Sequence, residues 1–124
     1  MINSSRLGVM KVKLTNGKHE IISDVDEKSG GKDEALNPHE LVEAALASCT
    51  SLTLELYAKR KSWDVKDLKV EVKIVSEGSD TLIERHISFG DIPEENKKRL
   101  LEIADKCPIH KLLESDIKIH SHEK

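Results

Sequence analysis

From residue 37 to residue 61 the chain reads as one long helix, and the first half of that helix is apolar on nearly every side. Leu41, Val42, Ala44, Ala45, Leu46 and Ala47 leave no continuous polar face. A helix without a polar face needs protein all around it. Its start is well marked: Asn37 suits the N-cap, Pro38 the first helical position and Glu40 the third, a variant of the capping box. Lys59, Arg60 and Lys61 suit the negative end of the helix dipole. One small sheet covers only one side of such a helix, so the pattern predicts a homodimer with this helix packed near the two-fold axis.

The flanking segments supply strands. Met10, Val12 and Leu14 alternate with lysines, Asn16-Gly17 suits a type I′ turn, and the chain returns through Ile21 and Ile22. This predicts a hairpin over residues 9–23. A polar, glycine-containing linker follows over residues 24–38. Beyond the long helix, Leu68, Val70, Val72 and Ile74 alternate along a strand, and residues 77–80 turn it back. The return strand points Ile83, Arg85, Ile87 and Phe89 inward. Arg85 stands out on that face. An edge position or a bulge would let its guanidinium reach water, and the other reading is a buried functional cation.

Asp91 and Glu94 repeat the capping-box pattern ahead of a second helix. On it Leu100, Ile103, Ala104 and Cys107 share a face. Pro108 disfavours helical geometry at Cys107, so the helix should break there and restart at the proline. A last strand would carry Ile117 and Ile119. The expected order is ββ-α-ββ-αα-β, an α+β arrangement forming one domain over residues 1–124.

Composition narrows the function classes. Charged residues make up 35% of the 124 and aromatics 2%, so the core must be aliphatic. A net charge of −3 argues against nucleic acid as partner, since phosphate binding needs a basic field. One Trp, one Tyr and one Phe leave little for stacking on bases. No strongly basic amphipathic stretch points to a membrane surface. No uninterrupted run of about 18 apolar residues predicts a spanning helix. The N-terminus lacks the apolar core of a signal peptide, so a cytoplasmic protein is expected.

Two cysteines occur, Cys49 in mid-helix and Cys107 at the helix break. Their spacing is neither a zinc ribbon nor a CxxC redox pair. In a reducing cytosol any pairing between them would be transient and catalytic. Backbone N–H groups at the start of the short helix favour a thiolate at Cys107. Cys49 gains no such help from its own helix and needs a partner, such as an arginine or another helix end. Taken alone, each residue reads first as a small buried apolar side chain and only second as a nucleophile. Cys107 and His110 together offer only two metal ligands. His120 and His122 share one face of the tail and read as solvated.

The wording around each cysteine adds a resemblance. The segment NPHELVEAALASCTSLTLELYAKRKSW and the later LLEIADKCPIHKLLES closely resemble the osmotically inducible protein C and organic hydroperoxide resistance family (OsmC/Ohr-like). The likeness extends over residues 37–119, and the N-terminal hairpin matches in kind. It implies an intertwined homodimer, with two antiparallel sheets wrapped around central helices and two sites at the interface. It also implies a thiol peroxidase that needs no metal, haem or flavin. Cys49 matches the position that attacks the peroxide, and Cys107 the position that resolves the sulfenic acid to a disulfide. An external dithiol would reduce that bond.

The chain departs from the family pattern at two points. His39 stands where the well-characterised peroxidases carry a glutamate, with Glu40 next to it. The hairpin segment KLTNGKHE has no arginine to hold the cysteine as thiolate. His39 and Glu40 are therefore further site candidates, and the resemblance is to the broader branch of the family. The competing reading is a non-catalytic dimer on the same fold that binds a small ligand or senses redox state.

Overall fold

The expected hairpin is present, but it belongs to a larger sheet. The computed structural model describes residues 1–124, and they divide into two units, Met1–Glu43 and Ala44–Lys124. In the first unit β1 (Asn3–Gly8), β2 (Lys11–Thr15) and β3 (Glu20–Ser23) form an antiparallel sheet in chain order. The hairpin is β2–β3. Strand β1 escaped the sequence reading because NSSRLG does not alternate. Its backbone ladder on β2 holds it, from Asn3 opposite Thr15 to a bulge between Arg6 and Gly8. The turn is also longer than a type I′ turn. Thr15 pairs with Glu20, and the Asn16 Oδ1 accepts the N–H groups of Lys18 and His19 at 2.9 and 2.7 Å. The asparagine side chain thus organises a four-residue loop around Gly17, whose φ is 94°.

The linker is wound around a buried carboxylate. Asp24 is 2% exposed. Its Oδ1 accepts from the Val25 N–H at 2.7 Å and the Lys32 N–H at 3.4 Å, and its Oδ2 from the Glu34 N–H at 3.3 Å. A Cβ on Gly31 would lie 2.2 Å from the Val25 carbonyl oxygen and 2.5 Å from Asp24 Oδ1, so only glycine fits there. The Val25 N–H is the main cause that holds the Asp24 carboxyl below the ordinary aspartate range. Burial opposes it, and the Glu34 and Lys32 N–H groups and the Lys11 charge assist. A group with a depressed folded pKa stabilises fully above its unfolded value, and that stability is lost as pH falls through the folded value. The melting temperature should therefore fall more steeply below about pH 4 in the native protein than in Asp24→Asn. Parallel acid profiles would refute this role for Asp24.

Helix α1 (Pro38–Lys61) starts as expected. Glu40 N–H donates to Asn37 Oδ1 at 2.9 Å, and Asn37 N–H donates to Glu40 Oε1 at 3.0 Å. It ends on Ser62, with φ 59°, and the Trp63 N–H closes back on the Ala58 carbonyl at 2.8 Å. Within the second unit α1 buries one stripe, Leu46, Thr50, Leu54 and Ala58, at every fourth position. By length and composition alone α1 is apolar enough to cross a membrane, contrary to the expectation from run length. Its buried stripe instead belongs to a protein core, where Leu54 clusters with Phe89, Leu100, Ile103 and Ala104.

Strands β4 (Lys69–Ser76) and β5 (Leu82–Ser88) pair antiparallel, with Val70 opposite Ile87, Val72 opposite Arg85 and Ile74 opposite Ile83. The one bulge lies between Ile74 and Ser76, away from Arg85. Helix α2 (Glu94–Ala104) starts where expected, but without the expected cap. Pro93 sits at the N-cap without a side-chain cap, and its carbonyl takes the Asn96 and Lys97 N–H groups at 3.0 and 3.1 Å. Asp91 lies outside the helix, so the expected capping box does not form. The chain breaks at Cys107 and restarts as α3 (Pro108–Leu113), as Pro108 dictates.

The expected last strand is absent. Residues 116–124 carry no regular structure, and Ile117 and Ile119 are exposed. Alternation alone does not make a strand: the tail pairs with none of the open edges of the two sheets, and β4 and β5 pair only with each other. The order is thus βββ-α-ββ-αα, an all-antiparallel α+β arrangement.

Candidate active site

Two adjacent residues of α1, Cys49 and Thr50, face the start of α3. Thr50 belongs to the buried stripe, and Cys49, one step around the helix, is half-buried. Cys107 is fully buried. With φ −60° and ψ 135° it is extended, as a residue before proline must be, and its side chain acts as the N-cap of α3. Its Sγ accepts the His110 N–H at 3.3 Å and lies 3.9 Å from Thr50 Oγ1. The Cys49 thiol lies near enough to the same sulfur to help lower its pKa. The two cysteines, distant in sequence, are thus neighbours in space.

Burial is the largest influence on the Cys107 thiol and pushes its pKa up. The His110 N–H, the Cys49 thiol, the Thr50 hydroxyl and the Ile109 N–H together outweigh it and bring the pKa below the ordinary value. Every one of these groups donates to sulfur, and donors favour the charged form.

Arg85 is the residue that the sequence reading underrated. It neither sits at a bulge nor snorkels to water: its side chain is 12% exposed. From β5 its Nη1 donates to Thr50 Oγ1 at 3.1 Å, and its Nη2 donates to Asp105 Oδ1 at 3.0 Å and meets His110 Nδ1 at 3.1 Å. Arginine is always protonated and only donates, so His110 Nδ1 must accept. The imidazole proton therefore sits on Nε2, which faces Glu114 Oε1 at 2.8 Å. The available signal was an arginine on an otherwise aliphatic strand face, together with Asp105 and His110 flanking the second cysteine.

Cys49 also lines a shallow, mainly apolar groove with Ala45, Leu52, Leu56, Pro108 and Ile109. The other two sequence candidates lie in the first unit. Glu40 is engaged in the helix cap, and His39 is exposed in the first turn. Both ring nitrogens of His110 have protein partners, and no three His, Cys, Asp or Glu side chains converge as metal ligands.

Comparison with known proteins places this geometry in context. Residues 31–122 match the family model of OsmC-like protein. The comparison with curated protein sequences gave no match. Among solved structures, the fold is similar to an osmotic stress induced and detoxification response protein, so described, of Psychrobacter arcticus 273-4. The TM-score is 0.79 at 23% identity, covering 93% of this chain and 88% of that one. An organic hydroperoxide resistance protein of Elizabethkingia anophelis matches with TM-score 0.69 at 22% identity, over 95% and 91% of the two chains. The organic hydroperoxide resistance protein OsmC of Legionella pneumophila matches with TM-score 0.68 at 16% identity, over 94% and 90%. A family match over most of the chain, on a fold shared with these structures and with two cysteines near each other, leads to one conclusion: the chain belongs to the OsmC-like protein family.

Proposed function

We propose that the protein is a cysteine-based thiol peroxidase that reduces organic hydroperoxides. The nearness of the Cys49 and Cys107 thiols carries this reading. Cys49 is reachable through an apolar groove that suits the organic part of a hydroperoxide. Cys107 is buried beside it among hydrogen-bond donors. In the proposed reaction the Cys49 proton passes to the neighbouring Cys107 sulfur, the Cys49 thiolate attacks the O–O bond, the alkoxide leaves and takes that proton as the alcohol, and Cys49 becomes a sulfenic acid. Cys107 displaces water from that sulfur to form the disulfide, and an external dithiol restores both thiols. The chemistry needs no metal, haem or flavin, and it suits a reducing cytoplasm. His39 and Glu40 have no step assigned to them.

The same reading includes a homodimer. Leu52 and Leu56 are 65% and 51% exposed on α1, and Leu101 and Leu112 are each about half exposed. A second copy would cover such a surface, with the α1 helices central. Exposure to one equivalent of cumene hydroperoxide should consume the peroxide and yield one intramolecular Cys49–Cys107 disulfide, read by non-reducing peptide mass spectrometry. Persistent peroxide with both thiols free would overturn the proposal.

A further inference from the structure

We propose that Arg85 is a positioning residue of the disulfide cycle, gripping Thr50 and His110 so that both donate to the Cys107 sulfur. This rests on the peroxidase reading above. Only one of the three Arg85 partners is an anion, and that one, Asp105, is 70% exposed, so water screens it. The other two are neutral groups, and each also contacts Cys107: Thr50 through its hydroxyl, His110 through its backbone N–H. A buried cation without a buried partner charge is costly. A thiolate at Cys107 provides the missing negative charge one residue away on either path.

Thr50 makes the coupling specific. Its hydroxyl has one proton and two acceptors, the Leu46 carbonyl at 2.7 Å and the Cys107 sulfur at 3.9 Å. With neutral Cys107 the carbonyl wins on distance. A charged sulfur draws the proton toward itself, and the Arg85 N–H on the Thr50 oxygen makes that hydroxyl a stronger donor. The other titratable groups around the sulfur are Cys49 on α1, Asp105 at the end of α2, and His110 and Glu114 at α3.

The consequence is a direction for both sulfur exchanges. In resolution, the Cys107 thiolate attacks the Cys49 sulfenic sulfur. The S–S bond forms and the S–O bond breaks, and hydroxide leaves and takes up a proton as water. In reduction, a thiolate of the external dithiol attacks the Cys49 sulfur, because Cys107 is buried. The S–S bond breaks and its electron pair leaves on Cys107, faster the more stable that thiolate is. The second thiol of the dithiol then releases Cys49 and carries away the oxidised pair.

Thiolate absorbance at 240 nm in Cys49→Ser protein, whose one thiol is Cys107, tests this without any turnover. Arg85→Gln should raise the titration midpoint by about one pH unit or more, a tenfold loss of thiolate at a given pH. Thr50→Val should raise it in the same direction, and Thr50→Ser should restore it. Arg85→Lys, which keeps the charge but cannot fork between Thr50 and His110, should recover only part of the shift. In the two-cysteine protein, Arg85→Gln should accumulate dimedone-reactive sulfenic acid after one equivalent of peroxide. Unmoved midpoints in Arg85→Gln and Thr50→Val would overturn the inference. Wild-type protein inert to peroxide would instead overturn the peroxidase reading, with the titration still deciding whether Arg85 sets the state of Cys107.

Discussion

Cys49→Ser is expected to abolish hydroperoxide turnover, by about three orders of magnitude or more, whereas Cys107→Ser is expected to permit a single stoichiometric turnover that stops at a sulfenic acid. The asymmetry follows from access. Cys49 is half-buried and lines the groove, while Cys107 is fully buried behind it. A serine hydroxyl at position 49 is neither ionised nor soft enough to attack the O–O bond, so the first step has no substitute. A serine at position 107 removes only the resolving thiol. The Cys49 sulfenic acid then persists, open to dimedone or to direct reduction by an added dithiol. Single-turnover peroxide consumption, with mass spectrometry of the dimedone adduct, separates the two variants. The reverse pattern, with Cys49→Ser active and Cys107→Ser dead, would exchange the roles of the two cysteines. Wild-type protein that consumes no peroxide, with both variants folded as it is, would favour a ligand-binding dimer.

What the sequence made legible was governed by neighbours along the chain. Helix α1 is announced by Asn37, Pro38 and Glu40, whose cap is closed by atoms only three residues apart. The break at Cys107 follows from the proline beside it, and the pairing of β4 with β5 from alternation and a short turn. The misses share the opposite property. Strand β1 has no pattern of its own and exists because β2 offers an edge. The tail around Ile117 has the pattern but pairs with no edge in this chain. Asp24 and Arg85 are charged residues that a one-residue reading sends to the surface, because burial without partners is costly. Their partners are spread along the chain: Asp24 collects amides from Lys32 and Glu34, and Arg85 draws on Thr50, Asp105 and His110. The resemblance identified the two sulfurs, but the cation that organises the neighbours of Cys107 was visible only once α1, β5 and α3 were brought together.

The largest effect on stability is expected from Leu54→Ala, at about 2–5 kcal/mol. Leu54 is fully buried and sits in the cluster with Phe89, Leu100, Ile103 and Ala104, so truncation leaves a cavity bounded by two helices and the end of β5. At roughly 3–5 °C per kcal/mol for a chain of this size, the melting temperature should fall by about 6–25 °C. Leu52→Ala is the informative control. Leu52 is two residues away on the same helix but 65% exposed within the single chain. In an isolated chain its truncation should change stability by no more than about 0.5 kcal/mol, independent of protein concentration. If a second copy covers that face, Leu52→Ala should instead lower the melting temperature most in concentrated protein, where the native chain is associated, and the gap should shrink toward the isolated-chain value on dilution. A small loss for Leu54→Ala would contradict the core placed here. A concentration-independent, near-zero effect of Leu52→Ala would remove that residue from any dimer contact. Leu54 lies one turn beyond Thr50 on the same buried stripe, so its truncation should also loosen the hold of Arg85 on Thr50. The Cys107 thiolate titration of Cys49→Ser/Leu54→Ala should then shift in the same direction as that of Cys49→Ser/Thr50→Val.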